Sequence, residues 1–190
     1  MIVSATRILE LNEKYRLISN LDEREYSPEG TGFDIRAGEI YTIKGDGYLG
    51  VKDRKTPEIE KVADISRGDK KFTLMPGDFV LVKTMESVSL PSEKIVAEEG
   101  AKPSFLTIHV YPRSTLQRCG VHLMATKTDP GYSGELTFGM ANMGKSKFEL
   151  DLGARIANVV FMQVAGDLHR AYGGQWNGGR VAAEKVEKQI

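Results

Sequence analysis

The chain has 190 residues, and its 26 Lys plus Arg balance 26 Asp plus Glu, which argues against a broad electrostatic surface for nucleic acid or anionic lipid. That length suits one domain with a sizeable core, and a single cysteine, Cys119, excludes an internal disulfide and a thiolate metal cluster. No apolar run approaches the roughly 18 residues needed to span a bilayer, and the N-terminus MIVSATRILELNEKYRL lacks the basic–apolar–small order of a secretory signal, so a soluble, cytoplasmic chain is expected.

In chain order, Ser4 is placed to cap a helix over roughly residues 4–13, with Ile8, Leu11 and Tyr15 at helical spacing and Leu9 widening the face. GFDIRAGEIYTI (32–43) has strand character. Residues 44–71 are charged and Gly-rich and read as a surface excursion carrying one short strand. FTLMPGDFVLVKTMESVSLP (72–91), KIVAEEG (94–100), SFLTIHVY (104–111), GVHLMAT (120–126), GELTFGMAN (134–142), KFEL (147–150) and ARIANVVFMQV (154–164) follow as short β-rich runs bounded by Pro and Gly. Strands this short and this closely spaced leave no room for βαβ crossovers. They predict a mainly β domain, a sandwich, jelly roll or distorted barrel, over residues 1–190. The tail 172–190 is too Gly-rich to be core and is expected to be mobile without a ligand.

Chemistry concentrates in two stretches. In IHVYPRSTLQRCG (108–120), Pro112 stops a strand, Ser114 or Thr115 can cap a one-turn helix, and Gly120 ends it. Arg113 and Arg118 flank that turn. Free N–H groups, two hydroxyls and two guanidiniums at a helix start suit phosphate oxygens, although a capped turn with two exposed arginines has the same sequence. In TDPGYSGELTFGMANMG (128–144), Asp129 opens a Pro-Gly turn. It can polarise a water there or serve as an ordinary turn aspartate. Ten residues on, Gly139 interrupts a strand, which marks a bulge or a close approach. His109, His122 and His169 show no metal-ligand spacing. Cys119 suggests a small packing role, and Trp176 either stacks on a base or anchors the tail.

Six motifs in order resemble the dCTP deaminase/dUTPase superfamily over nearly the whole chain. They are GTGFDIRAG (30–38), LMPGDFVLVKTMESVSLP (74–91), PRSTLQRCGV (112–121), TDPGYSGELT (128–137), GARIANVVF (153–161), with Asn158 in a glutamine's place, and YGGQWNGG (172–179), a degenerate form of the C-terminal lid. The resemblance implies a dUTPase-like distorted β-barrel or jelly-roll subunit with a short N-terminal helix. It also implies a homotrimer with sites between subunits, and a deoxyribonucleoside triphosphate ligand, dUTP or dCTP, carrying Mg²⁺ on its phosphates. Position by position, it places Arg113, Ser114, Thr115 and Arg118 on the phosphates, and the backbone at Ala125, Thr126 and Lys127 on the pyrimidine edge. It places Tyr132 against the deoxyribose, Tyr172 and Gln175 in the lid, and Asp129 as the acid that orients water.

Gly139 departs from the deaminase branch, where a glutamate at this position shuttles protons to the pyrimidine without zinc. Losing a positioned acid/base costs about 10²–10⁴ in rate. Glu135 is four residues away, roughly 13 Å along a strand at about 3.3 Å per residue. The His-x-Glu and Pro-Cys-x-x-Cys zinc signature is absent. Pro112 and the run Tyr132–Glu135 lean toward dUTPases, whereas the N-terminal helix, the length and Asp-Pro-Gly look deaminase-like. The expectation favoured is dUTP diphosphatase, with Asp129 orienting water. dCTP deaminase and a non-catalytic nucleotide-binding or regulatory member are the alternatives.

Overall fold

Ser4 starts the first helix by the means its sequence offers. Its side chain accepts the Arg7 N–H at 3.2 Å, and α1 runs Ala5–Tyr15, two residues further than expected. Ala5, Ile8 and Leu11 are its buried face. The computed structural model describes residues 1–183 and 185–189. The strands in order are β1 (Ile18–Ser19), β2 (Gly32–Lys44), β3 (Tyr48–Leu49), β4 (Asp53–Lys55), β5 (Glu58–Asp64), β6 (Lys71–Leu74) and β7 (Phe79–Ser89). Next come β8 (Phe105–Pro112), helix α2 (Ser114–Arg118), β9 (Val121–Met124), β10 (Lys127–Thr128), β11 (Ser133–Asn142), β12 (Phe148–Asp151), β13 (Arg155–Val164) and β14 (Glu187–Lys188).

The fold is mainly β, as expected. One antiparallel sheet runs β10-β8-β13-β2-β7-β11-β9, with β1 on β7 and β5 on β2 as side branches. Alternation along β7, FVLVKTMESVS, puts Val80, Val82, Thr84, Glu86 and Val88 inside. With Phe33, Ile35, Ile108, Phe138, Met140, Val159 and Phe161 they form the core, where Phe33 meets Phe161 edge to face at 6.2 Å. The β7–β11 register shifts between Glu135 and Thr137. Thr84 fills this irregularity: its hydroxyl donates to the Glu86 carbonyl and accepts the Leu136 N–H. Buried Glu86 takes the Arg36 N–H at 2.7 Å and its Nε at 2.6 Å, and burial pushes its carboxyl above the ordinary glutamate range.

Two local expectations change. The 44–71 stretch carries three strands, not one, because β5 pairs with β2. The 94–100 run makes a single bridge, Ile95 to Ser104. The tail is seated on the body, with Ala183 buried. A stretch can be poor in side chains and still dock through its backbone.

Candidate functional site

α2 follows Pro112 as the sequence suggests, but its cap is Arg113, and no side chain caps it. Ser114, Thr115 and Arg118 are exposed. Cys119 is exposed as well, so it has no packing role. Arg113 is drawn away from the helix start by Asp34. That carboxylate, buried in β2, accepts Arg113 Nη1 at 2.5 Å, Arg155 Nη1 at 2.8 Å and Asn158 Nδ2 at 3.0 Å. The motif at 30–38 and the motif at 153–161 therefore meet, with Asn158 directly opposite Asp34 in the β2–β13 ladder. Arg113 and Arg155 border a polar recess of about 500 Å³ with Arg24, Glu25, Glu29 and Asp34.

A second, larger cavity of about 650 Å³ lies elsewhere on the chain. Thr126, Lys127, Asp129 and Tyr132 form one side, Phe79, Leu81 and Thr137 the floor, and Thr56, Pro57 and Ile59 the excursion side. Tyr172, Trp176, Arg180, Val181 and Ala182 of the tail close it over. Asp129 is its sole carboxylate among the described residues, and it is ion-paired with Lys127. The turn behind it depends on Gly131, at φ 95°, a conformation that a side chain disfavours. Gly131 donates to the Leu90 carbonyl at 2.9 Å, and Tyr132 N–H returns to the Asp129 carbonyl at 3.2 Å. Tyr132 is buried against Tyr172, ring centroids 5.8 Å apart, and donates its hydroxyl to the Glu135 carbonyl at 2.6 Å. Burial, aided by Tyr172 and Glu135, pushes that phenol up to about 12.

Of the residues singled out in the sequence, Thr126, Lys127, Asp129, Tyr132 and Tyr172 converge on this cavity. Ala125 does not line it: it packs against the core, and its N–H is engaged by the Leu123 carbonyl at 3.0 Å. Gln175 instead donates to the Lys188 carbonyl. Arg113 borders the other recess, and Ser114, Thr115 and Arg118 line neither. Sequence reasoning missed Phe79, Leu81 and the excursion wall. The apolar outward positions of the alternating run FVLV (79–82) were the available signal for the first two.

Gly139 has a packing explanation. A Cβ there would stand 2.9 Å from Phe79 Cζ and 3.0 Å from Met124 Sδ. A ring and a thioether fill the space that a longer side chain would need. Glu135 offers no substitute carboxylate: it pairs with Lys83 at 3.4 Å and lies under Gly179 of the tail.

A family profile described as dCTP deaminase-like matches residues 2–164. The chain belongs to this family. It is 28% identical to a protein of Dictyoglomus thermophilum named "dCTP deaminase, dUMP-forming", over 90% of this chain and 85% of that one. It is 30% identical to a Natronomonas pharaonis protein named "dCTP deaminase", over 87% and 81%. Among solved structures it resembles the 2′-deoxycytidine 5′-triphosphate deaminase of Agrobacterium tumefaciens in fold, with 15% identity and a TM-score of 0.59 over 84% of this chain. It spans 47% of that longer chain.

These relatives overturn the preference for dUTP hydrolysis. Proteins related along most of the chain bear the deaminase name. The features that had favoured a dUTPase are a turn proline, a tyrosine turn and a strand glycine, and each is accounted for by local backbone or packing. None of them specifies the base or the bond that reacts.

Proposed function

We propose that the protein is a dCTP deaminase, adding water to the pyrimidine of dCTP and releasing ammonia. The observation that carries this reading is the kinship, over most of both chains, with proteins bearing that name. The cavity suits it in three ways. Phe79, Leu81 and Tyr132 give a flat base apolar surfaces. Beside the lining residue Thr126, Ala125 has its N–H engaged by Leu123, which leaves its carbonyl as the group to offer a base, an acceptor suited to the amino group of cytosine. Asp129 can take a proton from the attacking water and return it to the departing nitrogen, so that water and dCTP give the uracil nucleotide and ammonia.

Arg113, Ser114, Thr115 and Arg118 would hold the phosphates. They do not line the cavity of their own chain, so this reading takes the intersubunit sites of a homotrimer. No three His, Cys, Asp or Glu side chains among the described residues converge as a metal-ligand set. In this reading magnesium is held by the nucleotide's phosphates, where it would screen their charge. Among the described residues no helix is long and apolar enough to cross a membrane, and the proposed place of action is the cytoplasmic nucleotide pool.

The occupied space beside Gly139 favours a second reading, a member that binds the nucleotide without turning it over. Incubation with dCTP and magnesium at high protein concentration separates the two. Ammonia release lost in Asp129→Asn supports deamination, and chromatography of the product shows whether dUTP or dUMP leaves. Calorimetric binding without ammonia supports the second reading, and absence of binding refutes both.

A further inference from the structure

The tail leaves the sheet, crosses the cavity and grips the chain at two places. The first grip is on the turn after Asp129. Tyr172 N–H donates to the Pro130 carbonyl at 2.7 Å, Ser133 N–H to Asn177 Oδ1 at 2.7 Å, and Gly178 N–H to the Ser133 carbonyl at 2.6 Å. The second grip is on the 44–71 excursion. Ala183 N–H donates to Thr56 Oγ1 at 2.7 Å, β14 pairs with β4, and Gln189 N–H donates to the Lys52 carbonyl at 2.7 Å. The Arg54 guanidinium lies 4.6 Å over the Trp176 ring, and Arg180 bonds Glu187 at 2.5 Å. Arg180, Val181 and Ala182, between the two grips, roof the cavity, and Trp176, held between the Tyr172 and Asn177 bonds of the first grip, joins them.

The second grip is the weaker design. β4 and β14 have three and two residues, well below the usual five or six. Three buried polar atoms in the same seam, Arg54 Nε, Gln175 Oε1 and Glu187 Oε2, have no hydrogen-bond partner, and each penalises the closed form. The first grip, by contrast, bonds to the backbone of Pro130 in the turn and of Ser133 at the start of β11 in the main sheet.

We propose that the 44–71 excursion is a latch for the tail, and that release at the Arg54–Trp176 and Thr56–Ala183 contacts opens the cavity to its nucleotide while the grip at 130–133 acts as the hinge. This assigns the excursion a role in access, and the access part rests on the cavity being the nucleotide site.

Trp176 is the chain's single tryptophan, so its emission reports the latch directly. Arg54→Ala removes the stack, and Thr56→Val removes the hydroxyl at nearly constant shape, which guards against a variant that fails to fold. In either variant of the full chain, losing about one net hydrogen bond or cation–π contact raises the open fraction roughly fivefold. The expected readouts are a red-shifted Trp176 emission, stronger acrylamide quenching, and tryptic cleavage at Arg180 faster by about the same factor. Stopped-flow association of dCTP should accelerate in parallel. Quenching and cleavage unchanged in both variants overturn the latch, whatever dCTP does. A released tail with unchanged dCTP association overturns the gating. A released tail in a protein that never binds dCTP overturns the nucleotide reading and leaves the latch standing.

Discussion

Gly139→Glu puts back the carboxylate that the deaminase branch of the family carries at this position, and the structure states what it should cost. The new Cβ would stand 2.9 Å from Phe79 Cζ and 3.0 Å from both Phe79 Cε2 and Met124 Sδ. Ordinary carbon contacts are about 3.5–4.0 Å. Overpacking of this kind costs about 1–3 kcal/mol. Met124 is 46% exposed and can swing aside, whereas the Phe79 ring has less freedom, so the lower part of that range applies. Relief of the entropic cost of a strand glycine returns about 0.5–1 kcal/mol. The net expectation is a loss of about 1 kcal/mol, or a melting temperature lower by roughly 2–4 °C for a chain of this size. Phe79→Ala removes the obstacle. In that background Gly139→Glu should cost nothing, a coupling of about 1 kcal/mol between two touching sites. Urea denaturation followed by circular dichroism measures all four corners of the cycle. An equal cost in both backgrounds, or a stabilised single variant, would refute the claim that Phe79 occupies the place of an acid.

Two further outcomes concern the framework. Asp34→Ala leaves Arg113 and Arg155 without their shared carboxylate. Breaking a fully buried pair costs about 3–5 kcal/mol, but these arginine side chains are 38% and 31% exposed and partly screened, so a loss of about 2 kcal/mol in denaturant titration is expected. In the excursion, hydrogen bonds from Lys61 and then Ser66 hold Asp64 down from 3.8 to about 2. An acid with a depressed folded-state value stabilises the fold above its unfolded value, and that contribution is lost as pH falls toward the folded value. Asp64→Asn should therefore flatten the fall in stability between about pH 4 and pH 2 in acid titrations; an unchanged slope would show that Asp64 does not carry that linkage.

Much of the protein was legible in its residues. The Ser4 cap, the alternation along β7 and the Pro112 stop are local features, set by hydrogen bonding and pleat within a few residues, and each appears where its sequence puts it. The convergence of Thr126, Lys127, Asp129 and Tyr132 was also within reach, because one turn brings them together. Distance along the chain is where that legibility stops. Nothing in GFDIRAG states that Asp34 will bind Arg113, 79 residues away, and Arg155, 121 away. The polar excursion forms a cavity wall because β5 pairs with β2. The Gly-rich tail is seated by backbone hydrogen bonds that composition does not encode. Gly139 shows the division most sharply. The resemblance implies an acid at its position; only the packing of Phe79 from β7 and Met124 from β9 shows that the space a side chain would need there is filled. A one-dimensional pattern records which side chain a strand lacks, and its neighbours across the sheet decide what stands there instead.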